Sequence, residues 1–166
     1  FALQSPSRKV ALTSWIHDTL QVTGLNVLGF LVELGDQPLE TVALESRGVS
    51  EMSAFAPAEK KDDVNQQFRE FAAGIRNGDF LFRSALPLKE NVTYALRTIA
   101  YQGKVLGRMG RFRVNVLSHD KRQDVIIAFR VIRRHENGSV SILWRELQRK
   151  PAPKLDFGKR KNESEK

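Results

Sequence analysis

A chain of 166 residues with 41% hydrophobic side chains is long enough to bury one sizeable core and short for two independent domains. The absence of cysteine excludes disulfides, thiolate metal sites and cysteine nucleophiles. The formal net charge of +8 is unevenly placed: residues 1–96 carry 9 Lys+Arg against 12 Asp+Glu, and residues 97–166 carry 18 against 7.

The chain opens Phe1-Ala2-Leu3-Gln4 without an initiator methionine, so an upstream segment is expected, either removed by processing, as in a periplasmic, secreted or organellar protein, or simply outside this sequence. The compartment itself is unknown from these residues. Ser14 to Leu34 is core material, with Trp15, Ile16, Leu20, Leu28, Phe30 and Leu31 among its apolar side chains. Gly24 and Gly29 argue against one long helix there, which predicts a short helix or turn near 14–22 and a buried strand near 25–34. The longest apolar runs fall short of the roughly 20 residues that cross a bilayer, so a soluble domain is expected. Gly35-Asp36-Gln37-Pro38 signals a turn, after which Leu39 to Glu45 is expected to pair back as a strand. Residues 47–61, small and polar, read as loop.

The best helix starts at Asp62 and sets Val64, Phe68, Phe71, Ala72 and Ile75 on one stripe, ending at Asn77-Gly78. From Asp79 onward the period shortens to that of strands. Five are predicted: Phe80 to Ala85, Val92 to Tyr101, Arg111 to Leu117, Asp124 to Arg134 and Ser139 to Leu147. The fold class is therefore α+β, an antiparallel β-meander of about five strands packed against one amphipathic helix and a buried N-terminal segment. Residues 1–149 form the domain, and 150–166 read as a charged, disordered tail whose Leu155 and Phe157 are too few to hold it.

Chemistry is concentrated in the basic half. If Asn137-Gly138 is a two-residue hairpin turn, the register sets Arg130 opposite Arg145. Arg97, Arg113, Arg130 and Arg145 then form a stripe across the sheet, with Arg111 beside Arg113 and Arg133, Arg134 and Arg149 near the edges. Like charges directly opposite are destabilising, so the arrangement calls for an acid, for solvent or for an anionic partner. The bland reading is a solvated sheet face whose arginine stems cover Ile126, Ala128 and Ile132. The loop Gly103 to Gly110 adds Lys104 and Arg108 on flexible backbone, a weak phosphate-contact signal that is neither a P-loop nor a dinucleotide fingerprint.

His17, His119 and His135 each precede an acid, but neighbours in sequence diverge in space and do not build a catalytic dyad. No His-x-x-x-His or Gly-x-Ser-x-Gly pattern occurs, and no cofactor, metal site or catalytic residue is expected. Sequons at Asn91, Asn137 and Asn162 are open to chance. The favoured function is a non-catalytic binding or assembly protein whose basic face meets an anionic macromolecule, a nucleic acid or an acidic protein or polymer. Two other readings fit the same residues: a secreted or periplasmic interaction module with solvated arginines, and an enzyme whose site is drawn from distant positions. Oligomeric state is unknown from the sequence.

Overall fold

The computed structural model describes residues 11–15, 19–104, 106–115, 121–136 and 139–156, with the backbone alone at 11–15, 106, 107 and 109. Its strands are β1 Ala11–Trp15, β2 Thr19–Thr23, β3 Val27–Gly35, β4 Ile75–Asn77, β5 Phe80–Phe82, β6 Ala85–Pro87, β7 Thr93–Ala100, β8 Leu106–Met109, β9 Phe112–Asn115, β10 Gln123–Arg134 and β11 Val140–Pro151. Two α-helices, α1 Val49–Ala54 and α2 Lys61–Ala73, lie between β3 and β4. The fold is α+β and antiparallel, as the patterning predicts. No helix among the described residues is long and apolar enough to cross a membrane.

The central sheet has the order β11-β10-β7-β3, every neighbour antiparallel. Side chains alternate across it. Leu28, Phe30, Val32, Ala95, Ile99, Ile126 and Ala128 share one core with Met52 of α1 and Val64 and Phe71 of α2. Leu31, Tyr94, Leu96, Val125, Ile127, Phe129 and Val131 share the other with Leu20, Leu86 and Leu88. A second sheet, β1-β2-β6, covers that face; Arg83, between β5 and β6, exchanges backbone bonds with Leu31 of β3 at 2.7 and 3.0 Å. Because both faces are covered, every residue of β7 is buried, and the strand reads as a continuous run rather than an alternation.

Several expectations fail in instructive ways. The turn or helix near 14–22 is instead the β1-β2 hairpin, paired from Ala11↔Thr23 to Trp15↔Thr19; Thr13, Thr19, Val22 and Thr23 are β-branched and suit strands. Leu39–Thr41 is a single 3-10 turn rather than a returning strand. Residues 47–61 contain α1, a helix too short for periodicity to reveal, in which Val49 and Met52 are buried. The second helix stops at Ala73 because Gly74, at φ +104°, takes the left-handed position, and its N–H reaches Glu70 O at 2.7 Å. Gly78, at φ +56°, instead turns the β4-β5 hairpin, and Ala72 is exposed.

The start of the expected tail is part of the fold. Leu155 N–H donates to Gln102 O at 2.7 Å, Lys61 N–H to Asp156 O at 2.9 Å and Asp156 N–H to Glu59 O at 2.8 Å. Backbone bonds seat the segment, and Ala152 and Leu155 are buried beneath it. Residues 157–166, with Phe157 and the Asn162 sequon, lie outside the described residues, as do His17, His119 and the Asn137-Gly138 turn. Asn91 of the first sequon is exposed, at φ +58°, whereas Thr93 of the same sequon is fully buried.

The two tyrosines of the chain are both buried, Tyr94 in one core and Tyr101 in the other. Tyr94 OH donates to Pro87 O at 2.9 Å and accepts from Lys89 N–H at 3.1 Å. Burial pushes its phenol up to about 12, and pushes that of Tyr101 higher still. Both folded values exceed the unfolded value of about 10, so this stabilisation is complete below about pH 10 and is lost as pH rises toward the folded values. In an ultraviolet titration, phenolate absorbance is expected to stay flat until the protein unfolds and then to rise for both rings together. Phenolate formed near pH 10 in a still-folded chain would contradict the burial.

Candidate anion-binding surface

The cations expected to form one stripe fall instead into separate groups. Arg97 is 0% exposed. It lies on the helical face of β7, opposite Ile126 and diagonal to Asp124, so its charge is turned into the core. Its Nε and Nη2 donate to Asp124 Oδ1 and Oδ2 at 2.9 and 2.7 Å. Nη1 donates to Met52 O at 2.7 Å, Phe55 O at 2.8 Å and Ser53 O at 3.3 Å. The last carbonyls of α1 lack partners within the helix, and this guanidinium supplies them. Arg97 is thus a structural cap and no part of an exposed surface.

The strand register separates the next pair. Arg130 stands opposite Leu143, and Arg145 opposite Ala128. Two additions cause the shift from the two-residue expectation. His135 N–H bonds Ser139 O at 2.8 Å, which makes the connection three residues long, and a bulge between Val131 and Arg133 adds another step. Arg130 is then held locally, donating to Gln37 O at 3.1 Å and Thr93 Oγ1 at 3.2 Å and pairing with Asp36 at 2.6 Å. Arg145 donates to Glu40 O at 3.1 Å. Arg149 clamps Glu146 through its Nε at 2.9 and 3.0 Å, and these bonds hold the Glu146 carboxyl below its usual value. Arg133 and Arg134 are exposed at the far end of β10 beside His135 and Glu136. His135 Nε2 lies 2.9 Å from Ser141 Oγ. No group of three or more His, Cys, Asp or Glu side chains that could hold a metal occurs among the described residues.

The remaining cations converge on β8-β9. Among the described residues these strands pair only with each other, and no other element packs substantially against them. Gly110, at φ +61°, takes the first central position of the two-residue turn Gly110-Arg111, where a type II′ hairpin requires glycine. That turn fixes Arg108 directly opposite Arg113. Arg111 stands at the tip, Lys104 precedes the ribbon, and all four cations are exposed. Phe112, between Arg111 and Arg113, is 72% exposed. Among the described residues none of the four has an acidic side chain within ion-pair distance. Two facing arginines without an acid repel each other, and the solvated ribbon tolerates this because water and salt screen the charges.

Sequence reasoning missed Asp124 as the partner of Arg97. The signal was an acid at the start of an otherwise apolar strand, two residues before Ile126 on the same face. It also missed Arg122, a further buried cation that donates to Asn26 O at 3.2 Å.

Fold and site together define an α+β domain with an antiparallel sheet whose strand β7 is covered on both faces and with a separate basic ribbon. The chain matches no protein-family model, no curated protein and no solved structure.

Proposed function

We propose that this is a non-catalytic binding protein that docks its β8-β9 ribbon onto an anionic polymer, with nucleic acid the favoured class. The observation that carries the reading is the cross-strand Arg108-Arg113 pair, flanked by Arg111 and Lys104 and without an acidic partner among the described residues. A polyanion relieves that repulsion by replacing the screening ions, which are then released. Nucleic acid is preferred over an acidic protein on two grounds. A two-stranded ribbon has the width of a duplex groove, and an exposed aromatic ring between arginines suits stacking on bases. Arg133 and Arg134 form a secondary basic patch on the same reading. Arg97, Arg130, Arg145 and Arg149 have protein partners.

The test is fluorescence anisotropy with labelled single- and double-stranded DNA across a salt series. Replacing Arg108, Arg111 and Arg113 together by Gln is expected to weaken binding and to flatten the slope of log affinity against log salt by about 2–3, given about 0.7–0.9 per phosphate contact. Replacing Arg145 and Arg149 by Gln is expected to leave the slope unchanged. An unaltered slope in the triple variant removes the ribbon as the binding surface.

A further inference from the structure

A second feature, independent of the ribbon, lies at one edge of the central sheet. Strand β11 spans Val140–Pro151 and, among the described residues, pairs with β10 alone. No strand lies along its outer backbone N–H and C=O groups, an arrangement that sheets ordinarily blunt with charge, with proline or by keeping the strand short. Those devices occupy only its second half, where Arg145, Glu146, Arg149, Lys150 and Pro151 fall. The first half, Val140-Ser141-Ile142-Leu143-Trp144, carries no charge and is rich in residues that favour strands.

Two large apolar side chains of this half are exposed, Leu143 at 59% and Trp144 at 52%. As neighbours in a strand they point to opposite faces of the sheet. Leu143 stands beside Arg130 on the helical face, and Trp144 beside Phe129 on the face that β1-β2-β6 covers. A partner lying on one face would cover one of the two. An additional strand along the edge covers both, since its own side chains alternate between the faces.

We propose that β11 is the contact of a symmetric dimer, in which a second copy of the chain adds its own β11 antiparallel across a two-fold axis at Leu143. The register is self-complementary. Ile142 stands opposite Trp144 of the second copy, and Trp144 opposite its Ile142, which makes two pairs of aromatic with β-branched side chains. Leu143 meets Leu143, Ser141 meets Arg145 and Val140 meets Glu146, so no like charges are directly opposite. Residues 140–146 include no bulged residue of β11, whose extra residue, Leu147, follows directly. The axis is perpendicular to the sheet, so each face keeps its own cover in both copies. At the opposite edge of the central sheet, Leu31 of β3 already exchanges backbone bonds with Arg83. One open edge gives two four-stranded sheets joined into a closed dimer, not a fibre. The net charge of +8 on each chain opposes association, and physiological salt screens that repulsion beyond about 8 Å.

Sedimentation velocity across a concentration series at physiological salt is expected to show a reversible monomer–dimer equilibrium. Leu143→Lys and Leu143→Glu each set two like charges face to face at the axis, and each is expected to weaken the dimer at least about tenfold. The side chain is exposed, so the circular dichroism of both variants is expected to match that of the parent chain. Mixing the two variants is expected to restore the dimer, because only an axis at this position brings residue 143 of one copy against residue 143 of the other. A chain that stays monomeric overturns the proposal and leaves the edge to an extended segment of another protein. A dimer that survives either substitution overturns it too, since it uses another surface, as does a mixture that associates no better than its components.

Discussion

Arg97→Ala is expected to lower the unfolding free energy by about 3–5 kcal/mol, the usual cost of removing one partner of a buried ion pair. Most of that loss comes from what stays behind. Asp124, 1% exposed, keeps a charge with no guanidinium beside it, and the carbonyls of Met52, Ser53 and Phe55 lose their donor. The nearest other cation, Lys150 Nζ, is 3.6 Å from Asp124 Oδ2 but on a side chain 44% exposed, where solvent weakens its attraction. The double variant Arg97→Met/Asp124→Leu is expected to recover part of the loss, because no uncompensated charge is then buried, but not all of it, because the α1 carbonyls remain unpaired. Urea unfolding of the single and double variants measures both terms. A single variant as stable as the parent chain would mean that the ion pair does not hold α1 on the sheet.

A second large effect is expected at Gly29, where β2 crosses β3. A Cβ at this position would lie 2.1 Å from Val22 Cγ1 and 2.7 Å from Val22 Cβ, distances that no real pair of carbons adopts. Gly29→Ala therefore forces the second sheet away from the central one, at the upper end of overpacking costs, about 3 kcal/mol. The remedy is equally specific. Val22→Ala in the Gly29→Ala background removes the 2.1 Å clash but leaves the 2.7 Å one, so partial recovery is expected, and Val22→Gly should recover more. A double-mutant cycle in urea reads the coupling directly; additive effects at the two positions would remove the close approach as the cause.

Both predictions concern residues whose role was hidden in the sequence for a definable reason. Gly29 was visible as an interruption of an apolar run, and it does exclude a long helix. That it admits Val22 of another strand depends on the β1-β2-β6 sheet folding over β3, and no local pattern carries that. Arg97 carries the same charge as Arg108 or Arg113, and within its strand it follows the same alternation. What separates them is cover: α1 and α2 close one side of β7, while among the described residues no other element packs substantially against β8-β9. The stripe across Arg97, Arg113, Arg130 and Arg145 failed because it assumed one exposed sheet face, and the central sheet has none at β7.

Register was the other weak link. A hairpin expectation depends on counting residues in the turn, and each additional residue displaces the pairing by one. The three-residue connection after His135 and the bulge at Ile132 together place Leu143, not Arg145, opposite Arg130. By contrast, Gly110 is followed by one further turn residue, so the facing of Arg108 and Arg113 follows from a two-residue loop with no bulge beside it. The aromatic cluster of the core was out of reach altogether, since its four rings come from residues 30, 55, 71 and 82, which no spacing rule connects.

The amino-acid sequence by itself determined the α+β class, the positions of β3, α2, β7 and β10, and the concentration of positive charge after residue 96. These follow from hydrophobic periodicity and composition, which are local and additive. Tertiary structure alone decided which cations face water, how β10 and β11 register, that α1 exists and that residues 150–156 join the fold. Each of those depends on a contact between distant segments: a guanidinium against the end of a helix, a bulge in a long hairpin, or a backbone bond from Leu155 to Gln102. The free energy of such contacts belongs to the pair and not to either residue, so the sequence around one does not identify the other.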